Sequence, residues 1–137
     1  LRPVFTVNYE QGNLPMVQMP LVAILSGAKL SLCNAPFELV EMTEQPNYTP
    51  STVAIRLDCD VDGFQVGQVL ACRTLCDTDP QPGKLYLIES TDGTAMLRRV
   101  VRVDSERLLL SFAHSDTQSS FFATELTFRF CVIGAQF

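Results

Sequence analysis

The chain has 137 residues, 47% of them hydrophobic and 18% charged, with 10 Lys and Arg against 15 Asp and Glu. That length suits one domain with a core of its own, and that composition excludes a disordered tail. A formal net charge of −5 without a basic run excludes a nucleic-acid surface built on clustered cations, and no stretch approaches the ~20 apolar residues of a membrane span.

Residues 1–19 show little periodicity and read as an extended arm or linker. No signal-peptide pattern opens the chain, and a first residue of Leu rather than Met reads as a fragment or trimmed chain. The main domain is expected over 20–137. Pro20 to Leu25 is a short apolar run, a strand, and Ser26-Gly27 is the turn after it. Residues 28–45 stay open: Phe37, Val40 and Met42 suit either a strand or one short helix. The PNYTP stretch at 46–50 is a loop, because its prolines remove donors and fix the backbone.

From Thr52 onward the pattern is clearer. Thr52 to Leu57 alternates and is rich in branched residues, which predicts a strand. Asp58 to Gly63 is a polar turn, and Val66 to Arg73 a buried strand. DTDPQPG at 77–83 is a loop, and Lys84 to Ser90 a strand. Asp92-Gly93 marks a hairpin. Thr94 to Val103 is its return strand, Asp104-Ser105 a tight turn, and Glu106 to Phe112 the next strand. Residues 113–123 are expected as a polar loop with Phe121 and Phe122 folded back, and Glu125 to Ile133 as a final strand. Short strands between turns, with almost no helical pattern, predict a mostly β domain: folded sheets or a partly open barrel of antiparallel strands.

The five cysteines, Cys33, Cys59, Cys72, Cys76 and Cys131, are odd in number and irregularly spaced. They read as reduced thiols of a cytoplasmic protein. Cys72 and Cys76 have the spacing of a metal pair, but a structural zinc takes four N/S ligands and His114 is the one histidine. The plainer reading is small buried side chains, and no metal or cofactor is expected. Cys59 lies among Asp58, Asp60 and Asp62, whose charge disfavours a thiolate. Read as a Ca²⁺ loop from Asp58, the same stretch has Gly63 at the sixth position. Val69 stands at the twelfth, where a glutamate is needed. His114 reads as solvated, and Ser119 and Ser120, with no base signature nearby, as loop residues.

Three stretches resemble the C-terminal domain of LexA-like repressors, phage repressors included. PLVAILSGAKL at 20–30 is similar to that family's self-cleavage segment. VAIRLDCDVDGFQVGQVLACR at 53–73 is similar to its strand, nucleophile loop and following strand. KLYLIESTDGTAMLRRVVRVDSERLLLSF at 84–112 is similar to its strand, hairpin, lysine-bearing strand and return. FRFCVIGAQF at 128–137 resembles its terminal strand.

In the resembled family a serine activated by a neutral lysine cuts the domain's own linker. Here Val61 takes the serine's place when read without gaps. Cys59 or Asp58 falls near it when read back from Gly67. The lysine's place falls on Arg98, which stays protonated at physiological pH and cannot act as a base. Ser26-Gly27 or Gly27-Ala28 stands where an Ala-Gly bond is cut. The resemblance therefore implies a fold that kept its shape and lost its peptidase. Arg98 is either an anchor for Asp58, Asp60 or Asp62, or part of an ordinary surface pair.

The resemblance also implies a homodimer or higher homo-oligomer. Its interface candidates are Phe128, Phe130 and Val132, with Phe128 and Phe130 on one face by strict alternation. DNA would be met only through heads upstream of Leu1, and an antirepressor or other regulatory protein is a possible partner of the residual cleft. The alternative is a divergent self-cleaving peptidase using Cys59, with its base unidentified. A third reading is an unrelated β-barrel binding module.

Overall fold

The computed structural model describes residues 15–136, and strands make up most of them. Strand β1 (Met16–Ser26) alternates along its length, with Met19, Leu21, Ala23 and Leu25 pointing inward. It begins four residues before the predicted Pro20, because Met16–Pro20 pair with β3 (Leu39–Thr43). The last part of the expected arm is therefore sheet, while residues 1–14 lie outside the described residues. The open stretch 28–45 resolves into two strands, β2 (Lys29–Leu32) and β3, with no helix between them.

The remaining strands are β4 (Val53–Leu57), β5 (Val69–Arg73), β6 (Leu85–Ser90), β7 (Ala95–Val103), β8 (Arg107–Phe112), β9 (Gln118–Phe122) and β10 (Leu126–Gln136). Strand β9 corrects the expected polar loop over 113–123: Arg107 to Ser111 of β8 pair with it residue for residue. A single 3-10 turn, Ala123–Glu125, joins it to β10. The strands run in the order β2-β1-β4-β5-β10-β6-β7-β8-β9, with β3 beside β1. This large sheet is mostly antiparallel and does not close; among the described residues β1 and β4 are its parallel pair. Among the described residues no helix is long and apolar enough to cross a membrane.

Strand β10 joins the two halves. Leu126 to Val132 pair with β6, and Cys131 to Gln136 pair with β5. One extra residue, Arg129, sits between the pairs Phe128–Ile88 and Phe130–Leu87. Such a bulge turns the following side chains to the other face. Phe128 therefore packs with Tyr86 and Ile88, while Phe130 and Val132 pack with Leu87, Leu97 and Cys72. The expectation that Phe128 and Phe130 share a face is corrected by this bulge.

The polar loop between β5 and β6 is organised by one carboxylate. Asp79, with a side chain 1% exposed, accepts hydrogen bonds from Arg73 Nη1 and Nη2 at 2.8 and 3.1 Å. Tyr86 Oη donates to the same carboxylate, as does the Cys76 amide at 2.9 Å. The Arg73 hydrogen bonds hold Asp79 well below the usual carboxylate range, against the opposing effect of burial. A depressed native pKa adds stability above the unfolded value of ~3.9, and that stability is lost as pH falls towards the native one. Asp79→Asn should cost about 2–3 kcal/mol at neutral pH, because it strands a half-buried guanidinium. In urea titrations the variant and the parent chain should converge in acid; a constant gap down to strong acid would contradict this account.

Candidate functional site

The parallel register of β1 and β4 sets Leu25 level with Leu57. The residues that follow them therefore emerge at one end of the sheet. Asp58 N donates to Leu25 O at 2.9 Å, and Ser26 Oγ donates to Asp58 Oδ2 at 3.1 Å. The Gly27 amide donates to Cys59 Sγ at 2.6 Å. On the other side of the turn, Ala95 N at the start of β7 donates to Ala28 O. Gly27 has φ +63°, a conformation that glycine adopts without a Cβ penalty. Ser26, Gly27 and Ala28 are thus clamped between the loop after β4 and the first residue of β7.

The loop itself is pinned by its own acidic side chains. Asp60 Oδ1 accepts from Val66 N at 2.8 Å, and Asp62 accepts from the Ala113 amide. Val61 and Phe64 bridge each other across a tight turn in which Asp62 and Gly63 have φ +47° and +86°. Each aspartate has a separate partner, and among the described residues no three His, Cys, Asp or Glu side chains gather as a metal site. Val61, in the serine's expected place, packs its methyl groups against the core.

Arg98 lies half-buried on β7, with its guanidinium 4.1 Å above the Phe112 ring and Nη1 donating to Leu97 O. Burial pushes its pKa down, and the charge of Asp62 pushes it back up. No carboxylate lies within ion-pairing distance of it among the described residues. It is held by stacking and by the field of Asp62, rather than by the surface pair considered from sequence.

His114 is exposed at its edge, but its ring leans on Phe64 with centroids 4.7 Å apart. It also covers Gly63, where an added Cβ would meet His114 Cδ2 at 2.2 Å. The sequence missed this contact; the Asp62-Gly63 pair was its one signal. Ser119 and Ser120 sit on the edge strand β9 rather than in a loop, and Ser120 Oγ accepts from Arg107. Cys72 is buried in the core and its thiol is pushed up by burial, whereas Cys76 is exposed in the loop after β5. Phe128, Phe130 and Val132 are half-buried. Among the described residues, strand β10 pairs between Leu126 and Phe130 with β6 alone, and no other described strand covers its second edge there.

Chemically, the site brings a thiol against a backbone amide of the turn. Among the described residues the Gly27 amide is the hydrogen-bond partner of Cys59 Sγ. Arg98 cannot take a proton at any physiological pH. No family model and no curated protein matches this chain.

The Gly63 contact gives a direct test of the loop. Gly63→Ala should destabilise the domain by about 1–3 kcal/mol, because φ +86° and the His114 ring both oppose a Cβ. Adding His114→Ala should recover the steric share but not the backbone share. Full recovery in thermal unfolding, or no loss at all, would contradict the geometry.

Proposed function

We propose that this chain is the C-terminal oligomerisation and regulatory domain of a LexA-like or phage-type transcriptional repressor whose peptidase has been lost. One observation carries the reading: the Ser26–Ala28 turn is lodged on the loop at 58–62. A self-cutting domain needs that juxtaposition between its linker and its nucleophile loop. Here Val61 offers no hydroxyl and Arg98 no lone pair, so the turn is bound without a Ser-Lys dyad. The mostly β architecture, with strands β4 to β8 in the order expected from sequence, agrees with the same reading.

On this account the domain works in the cytoplasm by self-association, and no cofactor takes part. Pairing two copies raises the local concentration of DNA-binding heads joined to them at paired half-sites. The acidic balance of the chain leaves DNA contact to those heads. Control comes through a regulatory protein such as an antirepressor, seated at the cleft beside the 26–28 turn, rather than through cleavage.

A second reading rests on the Gly27 amide against Cys59 Sγ. In it the Cys59 thiolate attacks the Ser26 or Gly27 carbonyl, the Gly27 or Ala28 nitrogen leaves as an amine after gaining a proton, and water hydrolyses the resulting thioester to a carboxylate and the free thiol. It needs a general base for the thiol, and the nearby carboxylates are bonded elsewhere, Asp58 to Ser26 Oγ and Asp60 to Val66 N. The two readings part on whether the chain cuts itself.

Sedimentation equilibrium over a wide concentration range tests the assembly claim. A reversible dimer, or a dimer passing to larger species, is the expected result. A monomer at every concentration removes self-association from the account.

A further inference from the structure

Beyond Val132, strand β10 leaves β6 and continues along β5. Before Leu85, the chain entering β6 turns away towards β7: Gly83 N donates to Val100 O, and Val100 N donates to Lys84 O. The divergence opens a cavity of about 370 Å³ between Gly83-Lys84 on one side and Ile133–Ala135 on the other. That volume is in the range of small-molecule sites, roughly 300–1,000 Å³.

The lining is unusual for a chain of net charge −5. Arg73, Lys84 and Arg99 line the cavity, and among the described residues no aspartate or glutamate does. Arg73 is neutralised by Asp79. Arg99 spends one donor on Gly83 O at 2.9 Å and keeps the rest, and Lys84 is exposed, with no carboxylate within ion-pairing distance among the described residues. Two cations without anions therefore stand over a floor that includes the apolar side chains of Phe64 and Leu85. Like charges gathered at a concave site raise the local concentration of an anion and bind it by charge-assisted hydrogen bonds.

We propose that this cavity binds a small organic anion, its carboxylate or phosphate group on Lys84 and Arg99 and its apolar body against Phe64 and Leu85. The site is separate from the 26–28 turn, and its Phe64 also bridges Val61 in the loop after β4 and carries His114. An occupant would touch the loop that holds the turn. The binding claim stands whether or not the chain is a repressor domain.

Amide chemical-shift titrations of the whole chain test it, with inorganic phosphate and citrate as separate probes and sodium chloride at matched ionic strength as the control. Saturable shifts at Gly83, Lys84 and Ile133–Ala135 with one or both probes, absent with chloride, are expected. Phosphate alone or citrate alone would identify the preferred anionic group. Lys84→Gln, on an exposed side chain, should weaken binding by about tenfold or more while leaving the rest of the spectrum in place. Lys84→Gln with Arg99→Gln should abolish it. Shifts that follow ionic strength alone, or that survive both substitutions, would overturn the proposal.

Discussion

The hydrogen-bond ladder of β10 is the constraint on which the rest of the sheet depends. Its first half is paired to β6 and its second half to β5, with both ladders meeting at Cys131 and Val132. The other strands fall into β1–β5 on one side and β6–β9 on the other. Strands β5 and β6 lie on opposite edges of β10, and each ladder carries one bulge, between Val132 and Gly134 on the β5 edge and between Phe128 and Phe130 on the β6 edge. These bulges divide the apolar side chains of β10 between faces, and the parting of β10 from β6 leaves the cation-lined cavity.

At the other end of the first half, the parallel pairing of β1 with β4 decides what the site can contain. It brings Ser26 beside Asp58 and the Gly27 amide onto Cys59. The loop that receives the turn spends its carboxylates on single partners: Ser26 for Asp58, Val66 for Asp60 and Ala113 for Asp62. What remains is a bound turn, a thiol facing a backbone amide and a stacked guanidinium.

Strands β4 to β8 were legible because their residues alternate or run apolar between strong turn pairs such as Asp92-Gly93. The contact of Gly27 with Cys59 joins residues 32 apart in sequence, and neither alternation nor turn signals mark it. Strand β9 was not legible: in QSSFF the residues are mostly exposed, and its strand character comes from pairing with β8. Strand β2 is short and largely exposed, β3 buries chiefly Met42 and its sequence suits strand or helix alike, and Met16 to Met19 owe their strand character to pairing with β3. The bulge at Arg129 has no sequence mark, so alternation misplaced Phe128 relative to Phe130. Arg73, Lys84 and Arg99 are too far apart in sequence to read as a cluster, and only the divergence of β10 from β6 gathers them.

The central claim is a self-cleavage architecture without self-cleavage, and intact-mass measurement of the purified chain through prolonged alkaline incubation tests it most directly. Alkali favours any thiolate or neutral amine that could act. One unchanged mass throughout is the predicted result. Two fragments summing to the parent plus one water, with the break at Ser26-Gly27 or Gly27-Ala28 and lost in Cys59→Ala, would contradict it.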